Sequence, residues 1–347
     1  MRIGVSAQLR RLARGYRGGG GHERRARDGH RPDYRRRKEP TRRQAAPPGE
    51  LLCGLHVVTL ALEAQTRELH ELMLERERVR EGEFRDLQAR AVDAGVSVSL
   101  VSKERLNNVL SAGGNGHRAP RHQGVVLRAG GLEFDEISSS PASVDELLVA
   151  MSDSDTDAVS SIRRRRRVVL ALDEVVDPQN MGALLRTALF VGVTAVVASK
   201  RNCAPLTPAV STSSAGALEV LAAEGRLACV RQLPLWLNSL RKIERADGTP
   251  PWLVLGADMG GAEAAGGGGE GGKSGGGGGD GDSDVVLVMG SEGSGLRTTV
   301  RAACDALIAA PRAAPPTGSR HPSAALVDSL NVSVSAGILL DRLTAAH

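Results

Sequence analysis

The segment VVLALDEVVDPQNMGALLRTALFVG, residues 168–192, decides the fold class of this chain. It opens with a continuous apolar run, which is typical of a strand buried on both faces of a sheet. The turn Asp-Pro-Gln-Asn-x-Gly follows, in which Pro178 fixes φ and Gly182 allows another backbone to come close. The rest has the apolar spacing of a helix. A buried strand that turns directly into a helix predicts an α/β domain with a largely parallel sheet.

Further strands are predicted in the remainder of residues 163–347. The segments with strand composition are TAVVAS, ACVRQL, WLVLGAD, VVLVMGS and DALIAAP. Helical patterns separate most of them, so we assign residues 163–347 to one α/β domain. Its one interruption, residues 261–284, is mostly Gly with scattered Asp, Glu and Ser. Such a composition cannot bury a core and predicts a disordered surface insertion.

A second, smaller α/β domain is predicted at residues 50–134. LLCGLHVVTLALEAQ has the pattern of a strand that passes into a helix, and RDLQARAVDAG that of a helix ending at Gly95. VSVSLVS and HQGVVLRA are predicted strands. Residues 135–162 are rich in Ser and Asp, which predicts a linker between the two domains.

Basic charge is concentrated in two segments. Residues 1–48 are rich in Arg and Gly, and the first acid is Glu23. This favours either an organellar transit peptide or a disordered basic tail that contacts RNA. The run Arg163 to Arg167 is either a solvated charge cluster, the reading we favour, or an RNA contact beside the first strand.

Composition restricts the classes of function. The 347 residues carry a net charge of +5, which permits a polyanionic partner, but only 2% are aromatic, which argues against RNA binding on stacked aromatic side chains. The four cysteines form no CxxC pair and their spacing suits neither zinc nor disulfides, so we expect reduced thiols in an intracellular protein and no metal. No apolar run approaches the ~18 residues that span a membrane.

Three polar stretches in the larger domain are candidates for chemistry. The turn of residues 168–192 places Asn180 and Arg186 near a helix start. In VLVMGSEGSGLR, the glycine order GxxGxG differs from the dinucleotide fingerprint and no P-loop lysine follows. Glu292 within that loop would repel phosphate and favours a cationic or neutral ligand. In DSLNVSVSAGILLDRL, residues 328–343, Ser329 and Asn331 precede an apolar helix whose start offers free N–H groups.

In this order, the three stretches resemble the three motifs of the SpoU branch of the SPOUT RNA methyltransferases. The intervening RNCAPLTPAVSTSSAGALEVL is also similar to that family, so the resemblance covers nearly all of residues 168–343. In the smaller domain, GLHVV and HQGVV resemble the substrate-binding domain of the rRNA subgroup. That subgroup includes bacterial 23S rRNA guanosine methyltransferases and mitochondrial rRNA methyltransferases.

The resemblance implies a deep trefoil knot in the larger domain and transfer of a methyl group from S-adenosyl-L-methionine to a ribose 2′-hydroxyl of RNA. It implies backbone contacts to this cofactor at three positions, Gly290, Ala310 and Leu330. The site residues that it implies are Asn180, Arg186, Glu292, Ser329 and Asn331. In the family, the arginine that matches Arg186 is proposed as the general base. Because a guanidinium has a pKa above ~12 and stays charged in proteins, we expect Arg186 to orient the hydroxyl and an RNA phosphate instead. The resemblance also implies a homodimer.

Three features depart from the family pattern. The loop between Pro311 and Ser329 is longer than the compact family form, the insertion at 261–284 is additional, and Ala310 is smaller than the usual aliphatic residue. A guanosine of large-subunit rRNA is the expected target, in an organelle (a mitochondrion rather than a chloroplast) or alternatively in the cytoplasm. The other readings are a tRNA ribose methyltransferase, a catalytically silent rRNA-binding assembly factor, and a nucleotide-dependent oxidoreductase, which the glycine order disfavours.

Overall fold

A computed structural model describes residues 49–112, 121–139, 166–243, 252–257, 283–311 and 330–345. These residues form two sheets, one with four strands and one with seven. The basic segment 1–48 lies outside the described residues, as do residues 140–165 of the predicted linker and 258–282 around the predicted insertion. None of the helices described is long and apolar enough to cross a membrane.

The small sheet has the strand order β1-β4-β2-β3. Its strands are β1 (Glu50–Cys53), β2 (Leu69–Glu75), β3 (Ser97–Val101) and β4 (Val125–Ala129). Its helices are α1 (Leu55–Ala64), α2 (Gly82–Asp93) and α3 (Lys103–Ala112). β2 and β3 are parallel, whereas β4 is antiparallel to both β1 and β2.

The sequence did not predict β2, which is a central strand of the small sheet. The reason is that acidic residues interrupt its apolar pattern. Leu72 and Leu74 are fully buried, while Glu71 accepts a hydrogen bond of 2.7 Å from the Ser99 hydroxyl of β3. The hydrogen bond from Ser99 satisfies the Glu71 carboxylate. An acid is therefore tolerated in this strand, although composition alone would disfavour a strand here.

The large sheet has the strand order β11-β9-β10-β6-β7-β8-β5, and all of its described pairs are parallel. Its strands are β5 (Asp135–Glu136), β6 (Val168–Leu172), β7 (Ala195–Ser199), β8 (Leu227–Val230), β9 (Leu253–Ala257), β10 (Val285–Met289) and β11 (Ala306–Ile308). Its helices are α4 (Pro178–Val191), α5 (Pro208–Ser213), α6 (Ala217–Ala223), α7 (Leu233–Leu240), α8 (Thr298–Arg301) and α9 (Val332–Thr344). The predicted parallel α/β domain is confirmed.

Helices cover both faces of the large sheet. Leu170 and Leu172 of β6 belong to a core shared with α4, α5, α6 and α9, whereas Val169 and Ala171 of β6 belong to a core shared with α7 and α8. Every residue of β6, β7 and β10 is buried. This explains why their sequences are continuously apolar rather than alternating.

Two predicted boundaries and the predicted surroundings of Arg167 were wrong. The segment predicted as a linker from residue 135 begins with β5, which pairs with β8 and is the edge strand of the large sheet. The predicted insertion extends too far, because Asp284 is 1% exposed and its carboxylate accepts hydrogen bonds from the backbone and side chain of Arg167. Arg167 is therefore not part of a solvated charge cluster, and its guanidinium also stacks 5.4 Å from the Trp252 ring centroid. The predicted knot involves residues 312–329, which lie outside the described residues, and it stays a prediction.

Candidate active site at the carboxyl edge of the large sheet

Two of the three polar stretches follow neighbouring strands, and the third begins a helix that packs beside them. β6 and β10 are parallel partners, so the turns after Leu172 and Met289 emerge at the same edge. The Asp173 amide donates to the Met289 carbonyl at 2.8 Å and holds the two turns together. α9 packs against α4 and β10. In open α/β sheets, this edge is the usual place for a ligand.

Asn180, Glu292 and Asn331 form one hydrogen-bonded cluster, which joins all three stretches. The Asn180 side-chain amide donates to Glu292 Oε2 at 2.9 Å. The Asn331 amide donates to Asn180 Oδ1 at 2.9 Å and to Glu292 Oε1 at 3.3 Å. Both carboxylate oxygens of Glu292 are thereby fixed by neutral amides. No described cation forms an ion pair with Glu292, so the cluster carries an uncompensated negative charge among the residues that the structure describes.

Local hydrogen bonds fix the start of the helix that carries Asn180. Asp177 is the N-cap of α4, and its carboxylate accepts from the backbone N–H groups of Gln179 and Asn180 at 3.2 Å each. Pro178 occupies the first turn, where its missing N–H costs nothing. A Cβ at Gly182 would lie 1.9 Å from Ser213 Oγ, so the glycine is what lets α5 pack against α4.

Backbone hydrogen bonds close the glycine loop at residues 290–295. Ser291 and Gly295 exchange two backbone hydrogen bonds of 3.0 Å, and Gly295 has a φ of +66°. A Cβ at Gly290 would lie 2.3 Å from the Gly295 carbonyl oxygen, so only glycine fits there. Glu292 lies within this closed loop, where its carboxylate is held beside the starts of α4 and α9.

Asn331 combines two roles at the start of α9. It is the N-cap, and its Oδ1 accepts from the Ser333 backbone at 2.9 Å and from the Ser333 hydroxyl at 2.6 Å. Its amide nitrogen faces Asn180 and Glu292 instead. The polar opening of this apolar helix therefore serves both as a cap and as part of the site.

The sequence reasoning missed an ion pair that braces this site. The Asp173 carboxylate is fully buried and accepts from Arg297 Nε at 2.8 Å and from the Arg297 backbone at 3.1 Å. The hydrogen bond that Arg297 donates to Asp173 raises the pKa of the Arg297 guanidinium. Two features of the sequence could have indicated this pair. Asp173 directly follows a buried strand, and Arg297 follows the glycine loop that comes after the neighbouring strand.

Arg186 lies apart from this cluster. It is on α4 and is exposed, and no hydrogen bond or ion pair joins its side chain to another described residue. One turn further along the same face, Phe190 is 90% exposed. Ser329 lies outside the described residues, so the structure places four of the five predicted side chains and joins three.

Two of the three backbone positions predicted to hold the cofactor lie next to segments of the cluster along the chain. Gly290 directly precedes the closed loop, Leu330 directly precedes the α9 cap, and Ala310 follows β11. Within the described part of the chain, the structure records no backbone hydrogen bond at any of the three. The anionic carboxylate of Glu292, held beside this glycine loop, favours a ligand that carries a positive charge.

Metal and thiol chemistry find no support among the described residues. They include no group of three or more His, Cys, Asp or Glu side chains that could hold a metal ion. All four cysteines are free, and burial raises the pKa of each thiol, that of Cys304 to about 11. These cysteines therefore stay protonated at neutral pH and are poor nucleophiles.

Fold and side-chain cluster define an α/β domain with a candidate ligand site at the carboxyl edge of a parallel sheet. Two family descriptions match the sequence: the SpoU rRNA Methylase family matches residues 167–245, and RNA 2′-O ribose methyltransferase substrate binding matches residues 51–134. The mitochondrial rRNA methyltransferase 1 of Saccharomyces cerevisiae is 31% identical over 72% of this chain and 59% of its own length. The 23S rRNA (guanosine-2′-O-)-methyltransferase RlmB of Ralstonia nicotianae is 31% identical over 84% of this chain and 93% of its own length.

A solved structure has the same fold. The SpoU methyltransferase AviRb from Streptomyces viridochromogenes, in complex with AdoMet, covers 85% of this chain and 89% of its own with a TM-score of 0.53 and 19% identity. The chain belongs to the SpoU rRNA methylase family and is an RNA methyltransferase.

Proposed function

We propose that this protein methylates the ribose 2′-hydroxyl of a guanosine in large-subunit rRNA, with S-adenosylmethionine as methyl donor. The observation that carries the proposal is the Asn180–Glu292–Asn331 cluster, which unites the three family motifs beside the Gly290 loop. The rRNA substrate is supported by the names of the yeast and Ralstonia relatives, and the guanosine by the Ralstonia relative. The S. cerevisiae relative is mitochondrial by name, which favours an organelle.

Glu292 is the electrostatic part of the site. S-adenosylmethionine supplies a methyl group on a positively charged sulfur, which is electrophilic without a metal. The Glu292 carboxylate, held by two amides and not by a cation among the described residues, favours a cationic ligand over its neutral counterpart. The backbone of Gly290, Ala310 and Leu330 would contact the nucleoside part.

Arg186 is proposed to orient the substrate and not to take its proton. A guanidinium has a pKa above ~12 in proteins, and a neighbouring RNA phosphate would stabilise its charge further. Its exposure leaves the planar fork of donors available for a phosphate and the ribose hydroxyl. Alignment of the hydroxyl oxygen with the methyl group would then supply much of the rate acceleration.

A homodimer is part of the proposal. Phe190 is 90% exposed and lies one turn from Arg186 on α4, while Val334 and Leu330 on and before α9 are 50% and 43% exposed. α4 packs against α9, so these apolar side chains adjoin the site. A second copy of the chain would cover them and complete the surroundings of Arg186. Light scattering should give twice the chain mass for the wild type, and Phe190→Asp should shift it towards the monomer.

Calorimetry tests the cofactor part of the proposal. The protein should bind one S-adenosylmethionine per subunit in the presence of a metal chelator. A folded protein that binds neither S-adenosylmethionine nor S-adenosylhomocysteine would favour the catalytically silent assembly factor. A tRNA that accepts methyl groups in preference to rRNA would favour the tRNA ribose methyltransferase.

A further inference from the structure

A buried ion pair joins the four-stranded domain to the seven-stranded domain. Arg67, between α1 and β2, is 5% exposed, and Glu219, on α6, is fully buried. Arg67 Nε and Nη2 donate to the two carboxylate oxygens of Glu219 at 2.9 Å and 3.0 Å. The proposed reaction assigns no role to either residue.

Both charges are fully satisfied by further partners. Arg67 Nη1 donates to Glu50 Oε2 at 2.9 Å and to the Gly130 carbonyl at 3.0 Å, and Nη2 also donates to Ser211 Oγ at 3.2 Å. The Ser211 hydroxyl donates to Glu219 Oε1 at 2.7 Å. The planar guanidinium therefore contacts both domains in one fixed geometry, which a lysine could not reproduce.

Close backbone packing surrounds the pair. α1 packs on α6, and β1 packs against α5. A Cβ at Gly216, whose φ is +85°, would lie 2.6 Å from Leu60 Cδ1 of α1. The two domains thus meet in a close, specific contact, unlike two domains joined only by a linker.

The same elements reach the active site. α5 carries Ser211 and also Ser213, whose hydroxyl donates to the Pro178 carbonyl at 2.8 Å. Pro178 begins α4 two residues before Asn180. α5 therefore contacts both the ion pair at the domain interface and α4, the helix that carries Asn180.

We propose that Arg67 is a positioning residue, which holds the four-stranded domain in one orientation so that RNA bound there presents its ribose to the site. The proposal rests on the proposed function, because it assumes that the substrate RNA contacts both domains. A buried ion pair is weak as a source of stability, since desolvation offsets its attraction, but its directional bonds specify one geometry. An apolar contact of equal area would permit sliding.

The test compares Arg67→Met with Arg90→Met in the full-length protein. Arg90 pairs with Glu63 within the four-stranded domain, and both side chains are about half exposed, so this control removes an equal charge from a contact that sets no orientation. Arg67→Met should increase amide exchange in α1 and α6 and lower kcat on an rRNA fragment on the order of 10- to 100-fold. Its S-adenosylmethionine stoichiometry should stay that of the wild type, because the cofactor site is not altered, and kcat should fall by a larger factor than the affinity for the fragment.

Constant cofactor stoichiometry separates positioning from partial unfolding, which would lower stoichiometry and kcat together. The double variant Arg67→Met/Glu219→Met removes the unpaired buried charge and keeps the interface filled, so it should fold and show the same loss of kcat. Wild-type kcat in either variant, or wild-type amide exchange in α1 and α6, would overturn the proposal. If the wild type itself transfers no methyl group to rRNA, the proposed function fails, while the exchange measurement still decides whether Arg67 fixes the domains.

Discussion

At the scale of single residues, the sequence indicated candidate side chains but not how they meet. Asn180, Glu292 and Asn331 were candidates because each follows a strand or opens a helix, yet they are separated by up to 151 positions. Their mutual hydrogen bonds depend on the pairing of β6 with β10, which local patterns do not encode. Asp173 and Arg297 escaped prediction for the same reason, since an ion pair between two loops has no periodicity.

The charge of Glu292 should discriminate between the methyl donor and its product. Glu292→Gln keeps the shape and one acceptor but removes the charge. We expect this substitution to weaken S-adenosylmethionine binding about tenfold, equivalent to about 1.4 kcal/mol. The binding of S-adenosylhomocysteine, whose sulfur is neutral, should be weakened much less. Calorimetry with both ligands measures the difference.

Glu174→Gln is the matched control for that measurement. Glu174 lies at the same sheet edge, but it is already paired with Asn202 at 3.2 Å and lies 3.7 Å from Arg297. Glu174→Gln should leave the ratio of the affinities for S-adenosylmethionine and S-adenosylhomocysteine unchanged. Equal weakening of both ligands by Glu292→Gln would show that Glu292 acts through shape and not through charge.

Arg186 should affect the reaction without affecting the cofactor. It makes no contact with the Asn180 cluster and is exposed, so Arg186→Ala should abolish methylation and leave S-adenosylmethionine affinity within about threefold. Arg186→Lys should rescue poorly, because an ammonium cannot bind a phosphate and a hydroxyl in the same planar geometry. Methyl incorporation and calorimetry on the same preparations check this, and full activity of the alanine variant would remove Arg186 from the mechanism.

At the scale of elements, prediction succeeded where burial is uniform and failed where it is mixed. β6, β7 and β10 are buried throughout, so their apolar runs were unambiguous. β2 was missed because its acidic residues have partners on other strands, and β5 because two residues next to a polar segment carry no pattern. The extent of the insertion was overestimated because Asp284 resembles its Gly and Asp neighbours, although it is buried against Arg167.

The contact between α4 and α5 should be intolerant of a single added carbon. At Gly182 a Cβ would meet Ser213 Oγ at 1.9 Å and the Ser214 backbone nitrogen at 2.7 Å. Gly182→Ala should therefore lower the free energy of unfolding by about 1–3 kcal/mol, as overpacking does. Urea denaturation measures this.

Gly337→Ala provides the comparison for that prediction. Gly337 lies in α9, where the nearest atom to an added Cβ is Thr187 Cγ2 at 3.8 Å. Alanine should raise stability by up to about 1 kcal/mol through its higher helix propensity. A Gly182→Ala protein as stable as the wild type would mean that α4 and α5 do not pack as described.

The Gly-rich insertion should be dispensable. Replacement of residues 263–282 by a short Gly-Ser link leaves β9, β10 and Asp284 in place. Loop length changes the closure entropy only slowly, so stability should change by about 1 kcal/mol or less and activity by no more than about threefold. Thermal unfolding and methyl incorporation are the measurements, and a large loss of stability would show that the segment packs on the fold.

At the scale of the whole molecule, the sequence predicted two α/β domains but not the contact between them. A polar stretch after residue 134 suggested independent domains, whereas β5 joins that stretch to the large sheet and Arg67 is buried against Glu219. Long-range ion pairs of this kind have no local signal, because each partner alone resembles an ordinary surface charge. Deleting the first domain would expose Glu219, so point variants in the full chain are the sharper test of how the domains cooperate.

Methyl transfer to ribose is the central claim, and one measurement tests it most directly. The purified protein is incubated with rRNA and S-adenosylmethionine carrying a labelled methyl group, and the RNA is then hydrolysed with alkali. A methylated 2′-hydroxyl cannot attack its phosphate, so the label should appear in an alkali-resistant dinucleotide that begins with guanosine. The labelled dinucleotide should be absent when the Arg186→Ala variant replaces the wild type. Label on a base in a single nucleotide, or no label in a protein that binds the cofactor, would contradict the account.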